Sequence, residues 1–173
     1  MNEVLKVLKE RRSIRRYKSE QIAESELRAI LEAGTYAATG MGRQAAVMAV
    51  IQDAGTIKAL SAVNAEIMGN PGADPFYGAP TVVAVLADTD SPNWLKDGSL
   101  VMGNLMNAAA ALGVGSCWIN RCDATFERED CKAYLKKWGL GDNYRGVGFC
   151  ILGYAEGEIP AAKPRKENYI IFD

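Results

Sequence analysis

The sequence of 173 residues contains no histidine. Histidine is the side chain most often used as a general base and as a metal ligand, so its absence excludes Ser-His-Asp and Cys-His catalysis. The cysteines form no Cys-x-x-Cys pair, which argues against a zinc site. We expect them to be reduced, partly buried and without a catalytic role; they are Cys117, Cys122, Cys131 and Cys150.

Long hydrophobic runs and an excess of one charge are also missing. The longest apolar stretch, residues 79–87, falls well short of the roughly 20 residues that a membrane span needs. With 20 Lys and Arg against 21 Asp and Glu, the net charge is −1, and 49% of the residues are hydrophobic. This composition is typical of a globular domain. The first residues are charged and do not read as a secretory signal, so we expect a cytoplasmic protein.

Two common phosphate-binding motifs are absent as well. The glycine pairs at 113–115, 139–141 and 146–148 lack the third glycine of a dinucleotide-binding fingerprint and do not lie between a strand and a helix in the required order. No GxxxxGK[ST] loop is present. Because neither a catalytic histidine nor a metal site is indicated, we expect a bound cofactor to carry the chemistry.

The hydrophobic pattern predicts one domain of the α+β class, spanning residues 1–173. Helices and strands mix without strict β-α-β alternation. The second helix has Ser25 as its predicted N-cap, and the helix from Asp97 is apolar nearly all round, so we expect it to be central and buried. The predicted helices cover about 4–12, 25–34, 55–64, 97–112 and 126–138, and the predicted strands cover 47–51, 81–86, 116–119 and 147–154.

Basic residues concentrate at the start of the chain. Residues 1–18 carry seven lysines and arginines against two glutamates, in a protein of net charge −1. An anionic ligand suits this cluster, because the arginine fork matches a phosphate and Ser13 adds a hydroxyl donor. A solvated helix end is the alternative. A nucleic-acid patch is disfavoured by the sequence pI near 5.6 and by the lack of interleaved aromatic residues.

Five segments, in order along nearly the whole chain, resemble the nitroreductase family of flavoproteins. The first is Arg-Arg-Ser-Ile-Arg followed by Tyr17, and the third is Phe-Tyr-Gly-Ala-Pro before a valine-rich strand. In this numbering the segments are residues 11–17, 38–44, 76–80, 104–119 and 153–165.

The resemblance implies a central, mostly antiparallel sheet flanked by helices, in an intertwined homodimer with two FMN molecules at the subunit interface. It implies a ping-pong oxidoreductase that takes a hydride from NADH or NADPH and reduces nitroaromatics, quinones or similar electron-poor small molecules. It implies that the flavin carries the chemistry and that no side chain is catalytic. Neither a nucleic acid nor a membrane is an expected partner. We expect residues 158–173 to form a tail that docks on the partner subunit.

The resemblance also implies the residues that hold FMN. One group would bind the phosphate, the ribityl chain and the flavin edge, with Arg15 stabilising the reduced ring. A loop from the partner subunit would cover the flavin, and a third group would lie near flavin N5. The three groups are Arg11, Arg12, Ser13, Arg15, Lys163 and Arg165; Ala38, Thr39, Gly40, Met41, Gly42 and Gln44; and Trp118, Ile119 and Asn120.

The chain departs from the family pattern in the second segment. Gly42 stands where many members have asparagine, and Ala45 and Ala46 replace a proline and a tryptophan. The stretch between Asn64 and Phe76 is too short for the helical lid of larger members, so we expect an open pocket and loose specificity. Because of these changes, a second function stays open: a flavin-binding carrier or sensor with little turnover.

Overall fold

The computed structural model describes residues 2–173. This part of the chain contains six α-helices, one 3₁₀ turn at Gly40–Gly42 and four β-strands. The helices are α1 (Glu3–Glu10), α2 (Glu24–Thr35), α3 (Ala54–Ile67), α4 (Trp94–Ala111), α5 (Cys122–Glu127) and α6 (Glu129–Lys137); the strands are β1 (Ala46–Ile51), β2 (Thr81–Asp88), β3 (Gly115–Ile119) and β4 (Tyr144–Gly153).

The four strands form one antiparallel sheet in the order β1-β2-β4-β3. Val83 of β2 lies opposite Val50 of β1 on one side and Cys150 of β4 on the other. The first seven residues of β2 are buried, which explains why its sequence is continuously apolar rather than alternating. The α+β class and the central antiparallel sheet are confirmed, whereas the homodimer stays a prediction.

Helices cover both faces of the sheet. On one face, α3, α5 and α6 pack over a core in which the ring of Phe149 lies 5.1 Å from that of Phe76 and 5.7 Å from that of Phe126. On the other face, α2 and α4 bury Ile30, Leu105 and their neighbours against the sheet. None of the helices described is long and apolar enough to cross a membrane.

Two helix predictions were wrong in detail. The helix expected over 126–138 is two helices, because Arg128 adopts an extended conformation between α5 and α6. Its guanidinium donates to Glu66 of α3 and to Asp130, which holds the break in place. The N-cap of α2 is Ala23 rather than Ser25, and the Glu26 carboxylate accepts the Ala23 N–H at 3.1 Å.

Helix α4 is buried on one side only, which corrects the expectation of a central buried helix. Met102 and Leu105 are fully buried, whereas Leu95 and Leu100 are about half exposed. The first helix, α1, buries no residue at all. The four cysteines, in contrast, are free and buried as expected.

The segment after α1 follows the outer edge of the sheet. Ser13 pairs in parallel with Ser116 of β3, and the Ile14 N–H donates to the Ser116 carbonyl at 2.9 Å. Tyr17 then pairs with Ala155 just beyond β4. The basic residues of this segment are thereby held at a fixed position beside β3.

Candidate functional site

The basic segment and the C-terminal tail of the same chain form one cavity of about 810 Å³. It is lined by Leu8, Lys9, Arg11, Arg12, Ser13 and Arg15 of the segment and by Pro160, Ala161, Ala162, Lys163 and Arg165 of the tail. No acidic residue is among the described residues that line it. The cavity brings together six residues that the sequence predicted to hold a phosphate-bearing cofactor: Arg11, Arg12, Ser13, Arg15, Lys163 and Arg165. We refer to it below as the cationic cavity.

The guanidinium of Arg12 is only partly satisfied by the protein. Its Nη1 donates to the carbonyls of Lys9 at 2.8 Å and of Arg11 at 2.6 Å. Its Nε is buried and has no hydrogen-bond partner among the described residues. A buried donor on a charged group is costly to leave unpaired, so an anion in the cationic cavity fits the donor set that the chain presents.

Two further arginines of the cationic cavity, Arg11 and Arg165, make few contacts with the protein. Arg11 Nη1 lies 4.0 Å from the sulfur of Met106 on α4, and Arg165 Nη2 donates to the Lys163 carbonyl at 2.7 Å. Neither forms an ion pair among the described residues, so both guanidinium groups keep donors for a ligand.

A second cavity, of about 220 Å³, lies at the end of β3. It is lined by Arg15, which also lines the cationic cavity, and by the predicted residues Trp118, Ile119 and Asn120. Arg15 therefore joins the two groups of predicted site residues. We refer to this second cavity as the β3 cavity.

The indole of Trp118 packs against the core under α4. A Cβ at Gly148 would lie 2.6 Å from Trp118 Nε1 and 3.2 Å from the Met102 methyl group. Gly148 is therefore required by the close packing of the indole. We expect Trp118 to contribute to the β3 cavity through its backbone.

The loop that contains Ala38, Thr39, Gly40, Met41, Gly42 and Gln44 lines neither cavity of its own chain. It lies at the start of α4, where the Gly40 N–H is 3.1 Å from each carboxylate oxygen of the buried Asp97. Met41, Gly42 and Gln44 all have positive φ angles, and Met41 is 87% exposed. That a partner subunit supplies this loop stays a prediction.

Sequence reasoning missed Arg121 of the β3 cavity, which a buried amide positions beside the predicted Asn120. Arg121 has a left-handed backbone, with φ of 70°, and its Nε donates to Asn64 Oδ1 at 3.0 Å. Asn64, fully buried on α3, donates its Nδ2 to the Asn120 carbonyl at 2.8 Å. An asparagine on the apolar face of α3 is the sequence signal that points to this contact.

Burial makes three of the titratable groups, Cys131, Cys150 and Tyr17, poor nucleophiles. Burial raises the pKa of Cys150 to about 12 and that of Cys131 to about 11. Burial also raises the pKa of Tyr17, whose hydroxyl donates to the Ile14 carbonyl at 2.7 Å. Thiols and phenols with such pKa values stay protonated at neutral pH, so these side chains do not perform acid-base or nucleophilic chemistry.

Comparisons with known proteins agree on one family. A family model described as the nitroreductase family matches residues 8–154. A relative from Archaeoglobus fulgidus, named "Putative NADH dehydrogenase/NAD(P)H nitroreductase", is 29% identical over an alignment of 164 residues, and the match covers 91% of this chain and 88% of that protein.

Solved structures show the same fold. A nitroreductase with bound FMN from Bacteroides fragilis superposes with a TM-score of 0.91 at 30% identity, and the match covers 99% of both chains. A nitroreductase with bound FMN from Desulfitobacterium hafniense has a TM-score of 0.87 at 28% identity and is covered completely, as is this chain.

Proposed function

The chain belongs to the nitroreductase family, and from this membership we propose that it is an FMN-dependent oxidoreductase. It takes reducing equivalents from NADH or NADPH and passes them to a small electron-poor molecule such as a nitroaromatic compound or a quinone. FMN is bound in two relatives of 30% and 28% identity. The support for NAD(P)H is the name of the Archaeoglobus fulgidus relative, which includes it.

The observation that carries the proposal is the cationic cavity with the unpartnered Nε of Arg12 at its wall. The phosphate of FMN is a dianion, and charge-assisted hydrogen bonds from guanidinium groups are the strong ones in proteins. Six of the residues that line the cavity are cationic: Lys9, Arg11, Arg12, Arg15, Lys163 and Arg165.

FMN, when bound, would supply the hydride chemistry, first with the reductant and then with the second substrate. The side chains of the protein bind and orient. Arg11, Arg12 and Ser13 hold the phosphate, and Arg15 lies between the cationic cavity and the β3 cavity, where its charge stabilises negative charge that develops on the ring. No proton transfer is assigned to a side chain.

We propose in addition that the chain acts as a homodimer. Apolar side chains remain exposed on three elements: Val4 and Leu8 of α1, Leu100 of α4, and the last residues of the tail, which are 69–90% exposed at Tyr169–Phe172. A partner subunit would bury these side chains and would bring its loop 38–44 to the flavin. The tail docks through its apolar end, while residues 160–165 line the cationic cavity.

One visible absorption spectrum, recorded before and after NADH or NADPH is added without oxygen, tests the function. We expect flavin bands that bleach within the mixing time, and the donor that bleaches them faster is the preferred reductant. Flavin bands that persist with both donors would favour a carrier or sensor. A colourless protein that also fails to bind added FMN would overturn the assignment.

A further inference from the structure

The turn at residues 120–121, which connects β3 to α5 and lines the β3 cavity, has both of its carbonyl groups bound by the protein. The Asn120 carbonyl accepts from Asn64 Nδ2 at 2.8 Å. The Arg121 carbonyl accepts from the N–H of Thr125 at 2.8 Å and from its hydroxyl at 2.7 Å. The acceptors of this turn are therefore satisfied within the chain.

The Arg121 N–H, in contrast, has no acceptor among the residues that the structure describes. It belongs to the same peptide unit as the Asn120 carbonyl, and the C=O and N–H of a planar trans peptide point in opposite directions. The carbonyl points to Asn64, which is fully buried and is not among the residues that line the β3 cavity. The N–H therefore points to the other side of the turn, where a ligand acceptor would satisfy it.

The side chain of Arg121 fixes the orientation of the Asn64 amide. Its Nε donates to Asn64 Oδ1 at 3.0 Å. Arginine has donors and no acceptor, so only the amide oxygen can face it. The amide nitrogen is then left to donate to the Asn120 carbonyl. Both ends of this buried amide are thus used to hold one turn of the backbone.

Helix α5 is attached to α3 at both of its ends. Arg121 is the N-cap of α5 and binds Asn64, while Arg128 is its C-cap and donates to the Glu66 carboxylate at 2.6 Å. Asn64 and Glu66 lie on the same turn of α3. The second contact is at the far end of α5 from the 120–121 turn, so it provides a matched control for the first.

Arg121 keeps this orientation in a conformation that costs free energy. Its φ of 70° and ψ of 16° are left-handed, which is disfavoured for a residue other than glycine, asparagine or aspartate. Such strain persists where the surroundings determine the backbone, and it concentrates at functional sites. The contacts with Asn64 and Thr125 are the surroundings that determine it here.

We propose that Asn64 is a positioning residue for the flavin: by holding the Asn120 carbonyl, it directs the Arg121 N–H at the ring nitrogen N5. This inference rests on the proposed function, in which the flavin ring takes the β3 cavity and Asn120 lies near N5. N5 is a hydrogen-bond acceptor in the oxidised flavin. A donor held there fixes the ring for hydride transfer.

The test compares the binding of FMN with that of 5-deaza-FMN, in which a C–H group replaces N5 and removes the acceptor. Calorimetric titration of the full-length protein, freed of flavin, gives both Kd values. We expect the wild type to bind FMN about fivefold more tightly, which is the contribution of one ordinary hydrogen bond. Asn64→Leu removes both contacts at a similar volume and should bring the two Kd values together.

Three further variants separate positioning from folding. Asn64→Asp keeps an acceptor for Arg121 but has no donor for the Asn120 carbonyl, so it should lose the preference for FMN as well. Glu66→Gln removes the ion pair at the other end of α5 and should keep the wild-type preference. Leu60→Ala opens a cavity in the core on the same helix. Partial unfolding raises both Kd values by the same factor, so this variant should also keep the preference.

Equal Kd values for FMN and 5-deaza-FMN in the wild type would overturn the proposal, and so would a preference that survives in Asn64→Asp. Loss of the preference in Glu66→Gln or Leu60→Ala would show a general effect of packing and would overturn it too.

The titrations do not depend on turnover, so the proposal and the proposed function fail separately. If NADH and NADPH both fail to bleach the flavin but the preference for FMN is present and requires Asn64, the proposed function fails and the positioning role stands. If the flavin bleaches and the wild type shows no preference, the function stands and the role of Asn64 is refuted. A protein that binds neither cofactor refutes both.

Discussion

Arg12 shows how single atoms define the cationic cavity. Its Nη1 is committed to two backbone carbonyls of the same segment, which fixes the plane of the guanidinium, while its buried Nε has no protein acceptor. A partly desolvated donor is a strong binder of an anion, because little water has to be removed from it. Arg12 is thus a preorganised part of the proposed phosphate site.

Removing two of the looser arginines should weaken FMN binding while the fold is kept. In Arg11→Ala/Arg165→Ala we expect the Kd for FMN to rise on the order of 100-fold or more, because each charge-assisted hydrogen bond contributes about 1.5–3 kcal/mol. Quenching of FMN fluorescence on titration measures the Kd. Arg28→Ala is the control, since its ion pair lies on the surface of α2. An unchanged Kd would contradict the role of the cavity as a phosphate site.

The site was predictable where it rests on local sequence and not where it rests on distant contacts. The arginines at 11, 12 and 15 and the basic tail residues stand in recognisable segments, and the fold brings them into one cavity. The Arg121–Asn64 contact joins residues that are 57 positions apart. No local pattern specifies such a pair, because it depends on how α3 packs beside the turn after β3.

At the scale of elements, the loop before β1 depends on a carboxylate of α4. Asp97 is 4% exposed, and both its oxygens face the Gly40 N–H. A Cβ at Gly40 would lie 2.5 Å from the Asn93 side-chain nitrogen. The start of α4 therefore sets the position of the loop that would cover the flavin of a partner.

Asp97→Ala should loosen this loop. The substitution leaves the Gly40 N–H without its acceptor, which costs about 1–3 kcal/mol when the group is buried. We expect trypsin to cleave after the exposed Arg43 several times faster than in the wild type, as followed by mass spectrometry. Asp97→Asn keeps an oxygen acceptor and should cleave nearly as slowly as the wild type. Equal cleavage rates in all three proteins would show that Asp97 does not restrain the loop.

Secondary structure was predictable from the sequence where burial of a strand on both faces leaves a continuous apolar run. The continuous apolar run of β2 gives a strand because neighbouring strands and helices bury it completely. No proline or glycine in the sequence marks the break between α5 and α6. The side chains of Glu66 and Asp130 hold Arg128 in its extended conformation there. The exposed side of α4 is apolar as well, so its sequence alone does not tell a core helix from one that meets another subunit.

At the scale of the whole molecule, the unpaired apolar surfaces of one chain argue for a second copy. Single exposed apolar residues are ordinary, whereas several on one short segment mark an interaction surface. The end of the tail has such a cluster, with Ile170, Ile171 and Phe172 each more than 70% exposed. The proposed homodimer would bury it.

Deletion of residues 168–173 should weaken the dimer and leave the cationic residues of the tail in place. Burial of a large apolar side chain contributes about 1.5–3 kcal/mol, so we expect the dimer Kd to rise on the order of 100-fold or more. Light scattering on a dilution series should show a monomer mass slightly below the 18.7 kDa of one full chain for the variant, at concentrations where the wild type has about twice the mass of a full chain. The same dissociation curve for both proteins would place the interface elsewhere, and a monomeric wild type would refute the dimer.

The pairing of Ser13 with Ser116 has a further consequence, for solubility. β3 is an edge strand, and an uncovered edge offers its free amide and carbonyl groups to any other extended chain. In this fold the segment proposed to bind the cofactor lies on that edge and bonds to it through Ile14. The residues proposed to hold FMN thus also cover the edge of the sheet, so we expect mutations that detach this segment to reduce solubility as well as activity.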